Sequence, residues 1–388
     1  MPGPVKASES PMSIVRVPFN RPHVTGDEAG LMADAMARGH FSGDGNYTTE
    51  ASALVREMTA ARHVLLTTSC THALEMCALL LDVGSGDEVI MPSFTFVSMA
   101  NAFVLRGARP VFVDIREDTL NIDERLIEQA VTQRTKAIVV VHYAGIACEM
   151  DVIADIAERH GLVVIEDTAH GLGAEFRKRP LGSIGSLATL SFHETKNVHC
   201  GEGGALLINE STFLERAEVL REKGTNRSSF FRGQVDKYTW IDVGSSYLPS
   251  EILMAFLTAQ LRSFASIQQR RLQVWERYRR ELGEYSAGRG WQLPVLPPYV
   301  TNPAHLFWLR VGNLDERQRL LAHLRSDGVH AVFHYVPLHT SPMGRRFGDV
   351  DLPITSSTGD RLIRLPLYPD LSDGDVDRVV ASVSSFSP

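Results

Sequence analysis

The chain has 388 residues, 44% of them hydrophobic and 22% charged, ample to bury a core without staples. Its 39 Lys and Arg against 46 Asp and Glu leave a net charge of −7, which gives no electrostatic reason to bind nucleic acid or an anionic membrane. Cysteines at 70, 77, 148 and 200 form neither a CxxC pair nor a zinc-ligand spacing, so no disulfide framework and no metal knuckle is expected.

At about 150 residues per domain the length suggests two domains. The N-terminal MPGPVKASESPMS is rich in Pro, Ser and Gly and lacks the apolar core of a signal peptide, so 1–17 is expected to be a flexible tail. The most apolar stretch, 89–105, is broken by Pro92, Ser93, Thr95, Ser98 and Asn101 and is too polar to span a bilayer. A reducing cytoplasm is the expected location.

From about residue 60, short β-branched runs alternate with amphipathic stretches. Val64–Thr67 reads as a strand, followed by a helix from Cys70 to Leu81 that stops at Gly84. Val89–Met91 leads into a helix through Val97–Leu105, ended by Gly107. Val111–Asp114 is the next strand and Asp123–Thr132 the next helix. Ile138–Val141 has the composition of a fully buried strand. A helix over 151–160 ends at Gly161, and Leu162–Ile165, Ala188–Ser191 and Ala205–Ile208 have strand length. A long connection, 221–248, precedes a helical region over 250–284. After the Pro-rich 294–303, strands at 306–311 and 330–336 with helices at 314–327 and 373–385 predict a smaller α+β unit. The expected division is a large domain over 18–255 and a small one over 256–388.

Continuous apolar strands alternating with helices predict an α/β fold with a mostly parallel sheet covered on both faces. Ligands in such sheets bind beyond the carboxyl ends of the strands, where polar residues here collect. Those ends carry Glu166 and Asp167, His142 and Tyr143, and Ser191 with the segment running to Lys196.

Lys196 follows an apolar strand and precedes Cys200-Gly-Glu-Gly-Gly204, a loop able to approach a ligand closely. An amine desolvated there can lose its proton and attack a carbonyl, forming a Schiff base. Asp167, at the end of a neighbouring strand, can hold a protonated pyridine nitrogen. Thr68-Ser69-Cys70-Thr71 opens a helix, an anion site by its free N–H groups and dipole, and Ser191 can add a hydroxyl. Phe96 can stack on a ring. Each has an ordinary reading by itself: a solvated lysine, a turn-capping aspartate, an N-cap, a core phenylalanine. Arg227 and Arg232 can meet a substrate phosphate or simply face water. His142, His170, His193 and His199 lack the i, i+4 spacing of a metal site, and neither GxGxxG, GxxxxGK[ST] nor HExxH occurs.

GDEVIMPSFTFVSMANAFVLRGA, VHYAGIACEMD, SFHETKN, CGEGGALLIN, REKGTNRSSFFRGQVDKYTW and FHYVPLH stand in one order along the chain. On these segments, from about Pro18 to Pro388, the chain resembles the DegT/DnrJ-type pyridoxal-phosphate (PLP)-dependent nucleotide-sugar aminotransferases. It is most similar to the branch that makes dTDP-4-amino-4,6-dideoxygalactose. The resemblance implies the aspartate-aminotransferase-like fold, PLP fold type I. It implies that Lys196 carries the cofactor as a Schiff base and moves protons, that Asp167 pairs with the pyridine nitrogen, and that Phe96 stacks on the ring. His170 would lie near the phenolic oxygen, with Cys70, Thr71 and Ser191 on the phosphate. Substrate contacts are expected from His142, Tyr143, Asn226, Arg227 and His339. The implied reaction takes the amino group of L-glutamate to the C4 keto carbon of dTDP-4-dehydro-6-deoxy-D-glucose. The implied assembly is a homodimer with shared active sites, 221–248 reaching the partner's cofactor. Leu248 stands where many relatives have an Asn that reaches the phosphate, so Ser245 or Ser246 is the alternative contact. Relatives that dehydrate keto sugars replace the lysine by His, whereas Lys196 is intact. Competing expectations are another nucleotide-linked keto sugar, amination at C3, and a non-catalytic PLP-binding regulator. A dinucleotide-dependent oxidoreductase would need the glycine fingerprint that is missing.

Overall fold

The computed structural model describes residues 15–387; most of the expected N-terminal tail, residues 1–14, lies outside the described residues. The central sheet is built from the β-branched runs. Its first five strands are β1 His63–Thr67, β2 Glu88–Pro92, β3 Arg109–Val113, β4 Thr135–Val141 and β5 Val163–Asp167. β6 Glu175–Phe176 and β7 Arg179–Pro180 form a small hairpin, after which β8 Leu187–Ser191 and β9 Gly204–Ile208 complete the sheet. The strand order is β1-β9-β8-β5-β4-β2-β3. β8, β5, β4, β2 and β3 are parallel, and β9 runs antiparallel between β1 and β8.

Apolar side chains fill both faces. Met76, Cys77, Phe103, Val139 and Leu206 pack on one, and Ile90, Ile138, Val140 and Ile153 on the other. Alternation along β4 explains this split, because neighbouring residues of a strand point to opposite faces. Two N-terminal helices, α1 Glu28–Arg38 and α2 Asn46–Thr59, were not apparent from the sequence pattern. Both pack on the helix Glu251–Arg262, their buried faces carrying Ala35, Tyr47, Ala51 and Val55.

The segment Asp123–Thr132 departs from the expected helix: it forms two 3₁₀ turns, Glu124–Leu126 and Glu128–Ala130. The Asp123 carboxylate accepts the Arg125 N–H at 3.0 Å and grips the same guanidinium at 2.7 Å, stabilising a tight turn in place of a helix. The helical region past 250 is two helices, Glu251–Arg262 and Phe264–Gly288. The 221–248 connection contains a short helix, Arg227–Phe231.

β10 Val300–Thr301 joins the β6–β7 hairpin, and a second sheet follows. It has β11 Phe307–Arg310, β12 Val332–Phe333 and β13 Leu362–Leu365, antiparallel in the order β11-β13-β12. The strand expected over 330–336 thus pairs over two residues only, and its central partner β13 was not foreseen. Helices Leu314–Ser326 and Asp373–Ser385 cover this sheet around Trp275, Tyr278, Phe307, Ile363 and Val379. Val17, assigned to the tail by sequence, is fully buried in this second core and bridges to Val329. The chain passes from one core to the other within a single helix: Ile267 packs on the first and Val274 on the second. Among the described residues no helix is long and apolar enough to cross a membrane.

Candidate active site

A cavity of about 410 Å³ opens where the ends of β4, β5 and β8, the start of the third helix and the second sheet meet. That helix, α3 Cys70–Leu80, begins at the end of β1. Ser69 is its N-cap, its Oγ accepting the His72 N–H at 3.1 Å. The N–H groups of Cys70 and Thr71 remain for an anion in the cavity. Gly204 makes this approach of β9 to the helix start possible, since a Cβ there would lie 2.4 Å from the Cys70 nitrogen. Ser191, the last residue of β8, lines the same end.

Asp167 ends β5 and is buried against the cavity. Its Oδ1 accepts the Ala169 N–H at 2.9 Å. Burial pushes its carboxyl above the ordinary range, against the opposing pull of that N–H and of the Lys196 charge. A buried acid without an ion-pair partner needs a proton or a bound cation beside it.

Lys196 is delivered by the turn after β8. Phe192 N–H donates to the Gly203 carbonyl at 2.8 Å, Glu194 N–H to Gly201 at 2.9 Å and Lys196 N–H to His193 at 2.9 Å, a closed loop that returns through the glycines into β9. Burial pushes the Lys196 amine down to about 8; the Cys70 thiol and Asp167 act the other way, and Arg364 adds to the lowering. The amine is therefore a nucleophile within reach of neutral pH.

His170 stacks on His305 with ring centroids 4.2 Å apart, and its Nδ1 accepts the Ala144 N–H at 3.3 Å. Burial keeps it uncharged, aided by the nearby Lys196 charge. With Nδ1 an acceptor, the hydrogen sits on Nε2. Phe96 stands at the rim, 60% exposed, and Thr71 Oγ donates to Ser98 Oγ at 2.8 Å on the same wall.

Lys196, Asp167, His170, Phe96, Cys70, Thr71 and Ser191 are thus brought together around one cavity. The five residues expected at substrate are not. His142 is fully buried behind the sheet; its Nδ1 accepts the Cys148 N–H at 3.1 Å and its Nε2–H donates to Glu166 at 3.0 Å. That Glu166 carboxylate also takes the N–H groups of Ile184 and Gly185, each at 2.7 Å. Tyr143 lies in a core behind the cavity, its hydroxyl 3.1 Å from His334 Nδ1. His339 is tied to Ser93 at 2.7 Å and Ser356 at 3.2 Å, away from the cavity. Asn226 accepts the Thr239 N–H at 2.8 Å, and Arg227 pairs with Glu222 at 3.1 Å; neither lines the cavity of its own chain. Leu248 packs over Gly43.

Four lining residues come from the chain beyond residue 300 and escaped the sequence reading: His305, His334, Tyr335 and Arg364. His334 and Tyr335 fall in FHYVPLH, so a signal for them existed. Arg364 carries none, being one arginine in an apolar strand.

The sequence profile of the DegT/DnrJ/EryC1/StrS aminotransferase family matches residues 22–384. The chain belongs to that family. Solved structures agree with its fold. TlmJ, an aminotransferase from Streptoalloteichus hindustanus, is 29% identical with a TM-score of 0.87, covering 95% of this chain and 98% of its own. DesV of S. venezuelae, solved with a ketimine intermediate, is 31% identical with a TM-score of 0.86 and the same coverages. Spr1654 of Streptococcus pneumoniae in its PLP form is 28% identical, with a TM-score of 0.87 over 95% of this chain and 98% of its own. As a member of the DegT/DnrJ/EryC1/StrS family the chain is a PLP-dependent aminotransferase.

The donor set fits that cofactor. A helix start matches a phosphate, a buried acid matches a protonated ring nitrogen, and an amine lowered to about 8 shares the cavity with them to meet an aldehyde. Because the amine is protonated below about 8 and free above it, capture of PLP by the apo-protein should accelerate as pH rises and level off past that value. Stopped-flow absorbance measures this rate. A pH-independent rate from about pH 6.5 to 9 contradicts the lowered amine.

Proposed function

We propose that the protein moves the amino group of L-glutamate to the C4 keto carbon of dTDP-4-dehydro-6-deoxy-D-glucose, giving dTDP-4-amino-4,6-dideoxy-D-galactose. The observation that carries the transamination is the buried Lys196 amine sharing one cavity with the start of α3 and the buried Asp167 carboxyl. The choice of sugar rests on the segments GDEVIMPSFTFVSMANAFVLRGA and REKGTNRSSFFRGQVDKYTW. A sugar substrate is also in keeping with the relatives from Streptococcus pneumoniae, described as sugar aminotransferases.

When bound, PLP supplies an electrophilic carbon and a ring that accepts electrons. The Cys70 and Thr71 N–H groups with Ser191 hold its phosphate, and Phe96 covers the ring. Asp167 keeps the proton on the ring nitrogen. Lys196 Nζ takes a proton from the donor carbon and returns one at the other end of the transfer. His170, its Nδ1 already used, offers Nε2–H as a donor beside the ring.

A second copy of the chain completes the site in this reading. The segment 225–243 exposes Phe231 at 69% and Trp240 at 77%, apolar surface that a partner would cover. In the test, purified protein with L-glutamate is offered dTDP-4-dehydro-6-deoxy-D-glucose, its UDP and GDP counterparts and a 3-keto isomer, with product stereochemistry read by NMR. The expected result is fastest turnover of the dTDP 4-keto sugar to an axial C4 amine. Faster turnover of another sugar overturns the substrate; an equatorial amine overturns the stereochemistry.

A further inference from the structure

Three histidine rings stand together in the cavity wall, His170 stacked on His305 at 4.2 Å and on His334 at 6.5 Å between centroids. Their hydrogens are fixed by neighbours that only donate or only accept. The Ala144 N–H can only donate, so His170 Nδ1 is bare and its Nε2 carries the hydrogen. His334 is spent on both sides: Nε2 accepts from Arg364 at 2.7 Å, and Nδ1 meets the Tyr143 hydroxyl at 3.1 Å. His305 is the reverse of His170. Its Nδ1 lies 2.8 Å from Asn197 Oδ1, and the Asn197 amide is oriented by its nitrogen, which donates to the Pro303 carbonyl at 2.8 Å and to Gln268 Oε1 at 3.3 Å. Nδ1 therefore carries the hydrogen of His305, and Nε2 holds a lone pair.

That lone pair has no partner among the described residues, in a residue only 5% exposed. Burial, with His170, Lys196, Arg271 and Arg364 nearby, keeps the ring uncharged. The backbone beneath it is pinned: Arg271 donates to the carbonyls of Ala304 at 3.1 Å and His305 at 2.5 Å, and Asn197 grips the same loop at Pro303. Lys196 is the matching donor. Its Nζ also lacks a hydrogen-bond partner among the described residues. It shares with His305 both the main cavity and a second of about 10 Å³, room for a single water. Asn197 follows Lys196 in the chain, so the loop that delivers the amine also sets the tautomer of the acceptor.

We propose that His305 Nε2 is the hydrogen-bond acceptor for the Lys196 ammonium, which makes His305 a positioning residue for the proton-carrying amine. This rests on the reading of Lys196 as that amine. When Nζ takes the proton from the donor carbon, a C–H bond breaks and an N–H bond forms, and the electron pair left on carbon passes to the bound ring. The new ammonium turns one hydrogen to His305. Holding the charged form makes the amine a stronger base and keeps it beside the carbon to which the proton returns. His170 presents an N–H and cannot serve, and Asp167 is taken up by the ring nitrogen once the cofactor is bound. The groups that face the amine are Cys70 and Asp167, which favour its charge, and Arg364, which opposes it.

The test separates the two edges of the ring. In His305→Asn the short amide still donates to Asn197 in place of Nδ1 and leaves nothing at Nε2. In His305→Gln the longer amide sets an oxygen where Nε2 was and gives up the bond to Asn197. In the cofactor-free proteins the pH midpoint for PLP capture, expected at about 8 in wild type, should fall by about one unit in His305→Asn and return toward the wild-type value in His305→Gln. In the loaded enzyme the single-turnover rate at saturating L-glutamate should fall about 10- to 100-fold in His305→Asn. The isotope effect from α-deuterated L-glutamate should grow, and the half-saturating concentration should stay unchanged. In wild type the nitrogen NMR resonance of His305 Nε2 should be that of an unprotonated nitrogen and should move as Lys196 titrates, a measurement independent of how either variant folds. An unshifted midpoint in His305→Asn overturns the proposal, as do equal shifts in both variants, which would leave His305 a tether alone. A raised half-saturating L-glutamate concentration at unchanged rate overturns it too, assigning Nε2 to the donor. A protonated Nε2, or one whose resonance ignores Lys196, does the same. A wild type that captures no PLP refutes the role of Lys196 instead, and the Nε2 resonance then decides by itself whether His305 holds the amine.

Discussion

Replacing Lys196 by Ala is expected to lower turnover by about 10⁴-fold or more while leaving the fold in place. Two functions leave with one side chain: the covalent attachment point and the base that moves the proton. No other amine of the cavity wall can substitute, because the remaining cation there, Arg364, does not give up a proton in the working range. The fold should survive, since the Lys196 backbone N–H keeps its bond to His193 and the side chain gives up a desolvated charge rather than a salt bridge. Steady-state assays with the variant, alongside circular dichroism, check both halves. Turnover near wild type would remove Lys196 from the chemistry altogether.

The second large effect is at Asp167. Asp167→Asn should cut kcat by roughly 10²- to 10³-fold, the cost of stripping one member from a buried charged pair. The substitution keeps an oxygen for the Ala169 N–H, so the strand end should hold its geometry. What it loses is the negative charge that keeps a proton on the ring nitrogen and makes the ring accept electrons. The change should appear in kcat for both half-reactions, with cofactor still bound through Lys196 and the phosphate end. A variant within a few-fold of wild type would mean that Asp167 is a turn-capping residue, as its bond to Ala169 by itself would suggest.

The elements around this site were legible because buried parallel strands are written as unbroken apolar runs. Ile138–Val141 and Leu162–Ile165 announce themselves, and the carboxyl ends of these parallel strands locate the cavity. Lys196, Asp167 and the start of α3 follow from that rule alone. His142 and His339 show where the rule stops. A strand end names a residue but not the face its side chain takes, and His142 turns behind the sheet to Glu166 while Asp167 on the neighbouring strand turns toward the cavity. The Asp123–Thr132 segment failed for a local reason, an Asp–Arg turn that competes with the helix. Arg364 and His305 were invisible for a global one. They lie more than 100 residues beyond Lys196 and reach the cavity only because the second sheet packs against the first, a contact that no local pattern encodes.

The most direct test of the account is the visible absorption spectrum of the PLP-incubated, dialysed protein, recorded for wild type and Lys196→Ala before and after L-glutamate. The account predicts a yellow band in wild type that L-glutamate bleaches and a keto sugar restores, and no such band in the variant. A wild type that stays colourless, or a variant that forms the same band and loses it to L-glutamate at the same rate, would contradict the central role given to Lys196.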